Sequence, residues 1–191
     1  ADAQAAMYAQ VTAAARAAGY APYETSNFAR PGSESRHNLT YWLRREYLGR
    51  GPSAHGLWRG ERYGNRHEAA GWADALERGE SPEADRESPG AEAIADEIVL
   101  LALRLGTGLR AEDHAPAAWA LVELRYGDAL AAAVGEGRLE RTAGGVRVAP
   151  EHRFVADDVT AWLAARAHSL TFDALPGRFL DSSHARSHGP R

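Results

Sequence analysis

The stretch YETSNFARPGSESRHNLTYW, from Tyr23 to Trp42, is the most informative part of the sequence. It follows an Ala-rich segment, 2–18, in which apolar residues recur at helical spacing and which ends at Gly19, a residue typical of helix C-caps. Residues 20–28 then have the pattern of a β-strand, and Arg30-Pro31-Gly32 ends it. A helix, a glycine and a strand within so few residues predict an α/β fold class.

The predicted strand is unusually polar. Glu24, Ser26 and Asn27 leave neither of its faces fully apolar, so these side chains do not form an ordinary core face. The pattern therefore predicts that Glu24 and Asn27 point at something other than the hydrophobic core.

A second cluster follows the strand at 37–42, where His37 and Asn38 precede Tyr41 and Trp42. Ligands of open α/β proteins bind at loops after strand ends, which makes this cluster a candidate site. His37 can offer an iron or hydrogen-bonding ligand and Asn38 an amide. Tyr41 and Trp42 can offer flat surfaces to a conjugated ring. The alternative is structural: the two aromatic rings pack a loop, and His37 and Asn38 cap it.

Composition sets the outer bounds. The chain has 191 residues, 45% of them hydrophobic and 25% charged, with a net charge of −4, which is typical of one globular domain or two small ones. It has no Cys, which excludes disulfides, thiolate metal sites and a Cys nucleophile within it. No apolar run approaches the ~20 residues that span a bilayer, and no signal pattern opens the chain, so we expect a cytoplasmic protein.

The chain is predicted to form two parts and a tail. The first part, 1–77, includes a hairpin of 54–58 with 61–65, turned at Arg59-Gly60, and a helix near 68–76; a polar linker follows at 78–90. The second part, 91–166, is helical and winged-helix-like. Its predicted elements are a helix ending near Leu105, helices at 117–126 and 128–134, a hairpin of 138–142 with 146–148, and a last helix at 155–163. The tail, 167–191, is predicted to be disordered.

A winged helix suggests DNA binding, so its charge is decisive. Residues 111–166 contain nine acidic side chains and six Arg, a balance of −3. Phosphate neutralisation supplies most non-specific DNA affinity, and this part lacks the positive charge for it. We therefore predict a packing or docking role and no nucleic-acid partner.

Two further motifs are incomplete. Gly49, Gly51 and Ala54 match the G-x-G-x-x-A fingerprint of dinucleotide sites, but a strand pattern follows them instead of the helix that would bind a pyrophosphate. Glycines here are predicted to allow close backbone approach to a neighbour or a ligand. The segment that begins His67-Glu68 has Gly71 where the zinc motif H-E-x-x-H needs its second His, so no zinc site is predicted.

Residues 19–42, followed by YLGRGPSAHG at 47–56, resemble the later part of radical S-adenosylmethionine proteins related to oxygen-independent coproporphyrinogen III oxidase. The similarity is greatest to the heme-chaperone branch, the HemW type, whose text reads Y-E-x-S-N-F-A-x-P-G, then H-N-x-x-Y-W, then G-x-G-x-x-A-H. Every fixed position of these motifs is present. The resemblance extends more loosely over 1–165.

The resemblance implies the end of a partial TIM-like barrel followed by a smaller domain. Glu24 and Asn27 would face the barrel lumen, where cofactor and substrate lie. His37, in the motif that the heme-chaperone branch associates with heme, would be the candidate iron ligand. The loop with Gly49, Gly51 and Ala54 would line the cavity near S-adenosylmethionine.

One departure from the family bears on function. The family's [4Fe-4S] cluster needs Cys ligands, and this chain has none. A complete barrel also needs about 250 residues, so we expect a C-terminal portion that does not cleave S-adenosylmethionine alone. Two functions remain open for the parent protein: a chaperone that binds heme and delivers it to respiratory proteins, or an anaerobic coproporphyrinogen III dehydrogenase. A third alternative is a cluster-free adaptor.

Overall fold

The computed structural model describes residues 2–170. Its helices are α1 (Asp2–Ala17), α2 (Arg36–Trp42), α3 (Ala69–Glu77), α4 (Ala91–Ala102), α5 (Pro116–Gly135) and α6 (Ala156–Ala164). Its strands are β1 (Ala21–Pro22), β2 (Phe28–Ala29), β3 (His55–Trp58), β4 (Glu61–Asn65), β5 (Glu83–Glu87), β6 (Leu109–Arg110), β7 (Leu139–Thr142) and β8 (Gly145–Val148). Every named strand pair among these residues is antiparallel, which gives a mixed helix and strand fold.

The chain divides into two compact units. Of the described residues, the first consists of 2–43 together with 91–170, and the second is 44–90. The second unit is therefore inserted between the two segments of the first. The domain bounds predicted from the sequence stay a prediction, but the structure shows that part of the predicted linker, Glu83–Glu87, is strand β5.

The core of the first unit lies between α4, α5 and α6. Their apolar faces interlock because each helix repeats buried residues at three- and four-residue spacing, as Ile98 and Ala102 do on α4 and Ala129 and Ala133 do on α5. The sheet β6–β8–β7 adds Leu109, Leu139 and Val148 to the same core.

Several sequence predictions in this unit are confirmed and others are wrong. The helix over 2–18, the hairpin near 138–148 and the last helix are present. The strand predicted over 20–28 is instead two short strands, β1 and β2, joined by a turn in which the Tyr23 amide donates to the Asn27 carbonyl. The two helices predicted at 117–134 form one helix, α5, since a single exposed Gly127 costs only about 1 kcal/mol against the buried residues on either side.

The second unit is a three-stranded sheet, β3–β4–β5, with helix α3. The predicted β3–β4 hairpin is confirmed, and its turn uses Arg59 and Gly60, both with positive φ. The buried apolar side chains here are few: Leu57, Tyr63 and Ala75. Strand β5 was missed because its sequence is almost entirely charged.

The segment after α6 was predicted to belong to a disordered tail, yet 167–170 packs on the first unit. The His168 amide donates to the Arg125 carbonyl at 2.8 Å, and Ala167 and Leu170 lie against the core. The remainder of that prediction, 171–191, lies outside the described residues. Among residues 2–170, no helix combines the length and apolar character that crossing a bilayer requires.

Candidate functional site

The predicted cluster at 37–42 forms a helix, α2, and not the loop that the sequence suggested. Ser35 begins it as an N-cap, with its hydroxyl accepting a hydrogen bond from the Asn38 amide at 3.2 Å. The helix ends at Leu43, whose amide donates to the Leu39 carbonyl. Helical spacing therefore sorts the cluster into an outer face and an inner face.

His37 and Tyr41 lie on the outer face, four residues apart, and both are exposed. The Tyr41 hydroxyl is 2.9 Å from His37 Nε2, and the two rings meet edge to face with centroids 5.0 Å apart. This pair holds the imidazole in one orientation while leaving it accessible from solvent.

Asn38 and Trp42 face inward and connect α2 to the rest of the first unit. The Asn38 amide group donates to the Tyr23 hydroxyl at 3.0 Å. The Arg104 guanidinium carbon lies 5.7 Å from the centre of the Trp42 ring, a cation–π distance. The Trp42 indole nitrogen is buried and has no hydrogen-bond partner among the described residues. These contacts connect both residues to the first unit, and the ligand roles predicted for Asn38 and Trp42 stay a prediction.

The two polar residues of the predicted strand have different surroundings. Glu24 is 1% exposed, accepts a hydrogen bond from the Ser26 amide at 3.0 Å, and pairs through its backbone with Leu105. Asn27 is exposed. The structure therefore places one carboxylate inside the first unit and one amide in solvent, because the turn between β1 and β2 breaks the alternation of a continuous strand.

The glycine-rich loop lies in the second unit, where a side chain at Gly49 would overlap the His55 carbonyl oxygen. This confirms close backbone approach to a neighbour. The Asn65 side chain donates to the Gly51 carbonyl at 2.9 Å, and the Gly49 amide donates to the Tyr63 hydroxyl at 2.9 Å. Gly49 and Gly51 also line a cavity of about 350 Å³, whereas Ala54 does not. No helix begins at the loop, so it lacks the geometry of a dinucleotide site.

Two residues that contact the candidate site were not predicted from the sequence. Tyr23 and Arg104 contact Asn38 and Trp42, but Arg104 is more than 60 positions from either and carries no local motif. The described part of the chain also has no group of three or more His, Cys, Asp or Glu residues able to hold a metal ion.

Comparison with known proteins identifies the relatives of this chain. No family model matches it. The heme chaperone HemW of Mycobacterium tuberculosis (strain H37Rv) is 44% identical over 108 residues, which are 56% of this chain and 28% of that protein. HemW of Bacillus subtilis is 37% identical over 106 residues, with the same coverage of both chains. This chain is related to the HemW-type heme chaperones.

The predicted resemblance is therefore confirmed, over a length that is 28% of those HemW proteins. A bovine mitochondrial protein named for its radical S-adenosyl methionine domain is 56% identical over 50 residues, which are 26% of this chain and 11% of that protein. The solved coproporphyrinogen III oxidase (HemN) of Escherichia coli, a radical SAM enzyme, superposes with a TM-score of 0.58. It is 15% identical and covers 81% of this chain and 39% of that one, so it bears on the fold alone.

Radical SAM relatives imply an iron–sulfur cluster in full-length HemW-type proteins. Such clusters are held by thiolates, and this chain contains no Cys. The residues present do not fit the cluster, and no chemical step of this chain is derived through it.

Proposed function

We propose that this chain carries a heme-binding surface of a HemW-type heme chaperone, from which heme is delivered to respiratory proteins. The observation that carries the proposal is the 44% identity to HemW over 108 residues. The surface is the outer face of α2, since His37 and Tyr41 are exposed there and their rings are held against each other.

His37 is the proposed iron ligand on this face. Imidazole nitrogen binds heme iron, and an exposed ring can meet a planar ligand without unfolding its helix. Its Nε2 faces the Tyr41 hydroxyl at 2.9 Å, so ligation through Nε2 requires that hydrogen bond to open. Tyr41 then offers its ring as an apolar surface beside the porphyrin.

The other predicted residues are proposed in supporting roles. Asn38 and Trp42 hold α2 in place through Tyr23 and Arg104. Glu24 and Asn27 remain proposed to face cofactor or substrate in full-length relatives. Gly49, Gly51 and Ala54 are likewise proposed to lie near S-adenosylmethionine there, and the cavity beside the two glycines supports that role for them.

The finer architecture is also a proposal, based on the order of the elements and on the similarity to known proteins. The order α4, β6, α5, β7, β8, with a sheet in which β8 lies between β6 and β7, supports a winged-helix-like C-terminal domain. The fold likeness to HemN supports placing the N-terminal residues at the end of a partial barrel.

A heme titration followed by the Soret band tests the proposal. We expect saturable one-to-one binding by the 191-residue chain and at least a tenfold weaker affinity in His37→Ala. His67→Ala is the matched control, because His67 is also exposed and also contacts one hydroxyl, that of Ser53, at 3.1 Å. Tyr41→Phe keeps the ring and frees Nε2, so its affinity should equal or exceed that of the wild type.

Two outcomes would contradict this proposal. Equal affinity in the His37 and His67 variants would remove His37 from the site, and absent binding in all of them would leave the adaptor alternative. Coproporphyrinogen oxidation by this chain is disfavoured, since the radical chemistry needs the cluster for which the chain has no thiolates.

A further inference from the structure

Two adjoining cavities lie in the first unit, away from the outer face of α2. Their volumes are about 350 and 440 Å³, within the range of small-molecule sites. The walls come from α1, β1, the turn after α4, strand β8 and the turn at 150–155. The residues common to both cavities are Arg16, Pro22, Leu105, Gly106, Arg147 and Arg153.

Three of these shared residues are arginines. Arg147 forms an ion pair with Glu140, but neither Arg16 nor Arg153 has a carboxylate within 4.0 Å among the described residues. The hydrogen bond that Arg153 makes is to the Pro22 carbonyl, at 3.3 Å. Burial lowers the pKa of Arg153, the nearby charges of Arg16 and Arg147 lower it further, and interactions with Tyr8 and Glu24 oppose that shift. The second cavity also has Glu34 and the Arg110–Asp113 ion pair in its lining. The positive charge is therefore concentrated at the part that both cavities share, where Arg16, Arg147 and Arg153 lie.

Two hydroxyl groups in the wall of the first cavity have no hydrogen-bond partner among residues 2–170. Tyr8 and Thr12 lie one helical turn apart on α1, and Arg16 is one turn further on the same face. The Tyr8 and Thr12 hydroxyls are buried and have no hydrogen-bond partner in the described part of the chain. Since a buried unsatisfied hydroxyl costs about 1–3 kcal/mol, an acceptor in the cavity would recover that cost.

Gly106 lines both cavities next to Arg153 and has no side chain to fill the space there. A Cβ at this position would lie 2.9 Å from the Pro22 carbonyl oxygen and 3.0 Å from Arg153 Nη2. Glycine therefore leaves room for the guanidinium at the cavity edge. Leu103, Leu105 and Val148 give the rest of the first cavity an apolar surface.

We propose that the first of these two adjoining cavities binds a small molecule through a carboxylate or phosphate group. Arg153 and Arg16 hold that group, and the Tyr8 and Thr12 hydroxyls donate to it. Guanidinium groups match both oxyanions in geometry and charge. The site is distinct from the proposed heme surface, because Leu39 of α2 lines the second cavity, together with Leu43 just after the helix, whereas His37 and Tyr41 lie on the other face of α2. It does not rest on heme binding.

Calorimetric titration of the 191-residue chain with inorganic phosphate, and separately with succinate, tests the proposal. We expect saturable binding of at least one of them below about 10 mM, a standard free energy of roughly −3 kcal/mol or better. Tighter phosphate binding would assign a phosphorylated ligand, and tighter succinate binding a carboxylate. Arg153→Gln should weaken the affinity at least tenfold. Arg141→Gln, an exposed change on strand β7 with the same loss of charge, should change it less than twofold.

Thr12→Val gives a second test that does not alter charge. It removes an unpartnered hydroxyl and keeps the shape, so we expect unchanged or higher thermal stability together with a threefold or greater loss of affinity. The proposal is overturned if neither anion binds, if Arg153→Gln and Arg141→Gln weaken binding equally, or if Thr12→Val leaves the affinity unchanged.

Discussion

Tyr126 and its neighbours are the best-defined polar cluster among the described residues of the first unit. The Tyr126 hydroxyl donates to an Asp96 carboxylate oxygen at 2.6 Å, and Arg125 donates to both oxygens of the same carboxylate, at 2.6 and 3.1 Å. The hydrogen bond to Asp96 raises the pKa of Arg125, which keeps the pair ionised. Arg125 also donates to the His168 carbonyl at 2.7 Å. One residue thus joins α4, α5 and the segment after α6.

The same cluster predicts a dependence of stability on alkaline pH. Burial raises the pKa of Tyr126, and the hydrogen bond to Asp96 raises it further. The folded chain therefore keeps the phenol proton after the unfolded chain has lost it, above about pH 10. Over that interval the free energy of unfolding falls as pH rises, by up to about 1.4 kcal/mol per pH unit for one proton.

Urea unfolding of Tyr126→Phe beside the wild type checks this. At pH 8 the variant should be less stable by about 1 kcal/mol, because it lacks one hydrogen bond. From pH 10 to 11 the difference in free energy of unfolding between the wild type and Tyr126→Phe should narrow, because only the wild type has a phenol proton at this position. A difference that stays constant over this range would contradict the raised pKa.

Residue types were easier to predict than their surroundings. His37 and Tyr41 were singled out because imidazole and phenol side chains bind ligands, and both are accessible. That Glu24 faces a ligand stays a prediction, and its 1% exposure and its backbone pairing with Leu105, 81 positions away, were not predicted. A local sequence pattern does not predict a contact between residues so far apart.

At the scale of elements, α2 depends strongly on its cap. It has seven residues, too few to be stable by propensity, and Ser35 provides the side-chain hydrogen bond at its first turn. Ser35→Ala should therefore lower the free energy of unfolding by about 1 kcal/mol. It should also weaken heme binding, because His37 and Tyr41 keep their spacing only on a formed helix.

Chemical denaturation and the Soret titration measure the two effects of Ser35→Ala. Ser33→Ala is the control, since Ser33 is exposed and its side chain makes no hydrogen bond found among residues 2–170. If Ser35→Ala and Ser33→Ala change the stability and the heme affinity equally, the Ser35 cap does not keep α2 formed.

Element prediction succeeded where one local signal was sufficient. Gly19 ends α1 with φ of 81°, and the Arg59-Gly60 turn sets the β3–β4 hairpin, so both were predictable from a few residues. Strand β5 was not, because its charged side chains fit a solvated linker equally well. Its identity depends on a partner strand: Arg86 donates to Glu61 of β4 at 2.7 Å, and Arg62 of β4 pairs with Glu87.

At the scale of the whole molecule, the two units differ in how much core they have. Among residues 2–170, the first has 16 buried residues in one apolar cluster, whereas the second buries few apolar side chains: Leu57, Tyr63 and Ala75. A unit with so little buried surface is expected to open more readily. The sequence did not predict this division, because the first unit is assembled from two segments separated by 47 residues.

Gly49→Ala tests whether the second unit opens separately. A methyl group there overlaps the His55 carbonyl oxygen, so the loop and β3 must shift, at a cost of about 1–3 kcal/mol. Native-state hydrogen exchange should then show lost protection for amides within 44–90 and unchanged protection for Ile98 and Leu121 in the first unit's core. Gly71→Ala is the control: it lies in α3 with open space around it, and alanine should stabilise that helix by up to about 1 kcal/mol. Equal loss of protection in both units would mean that the chain unfolds as one cooperative body.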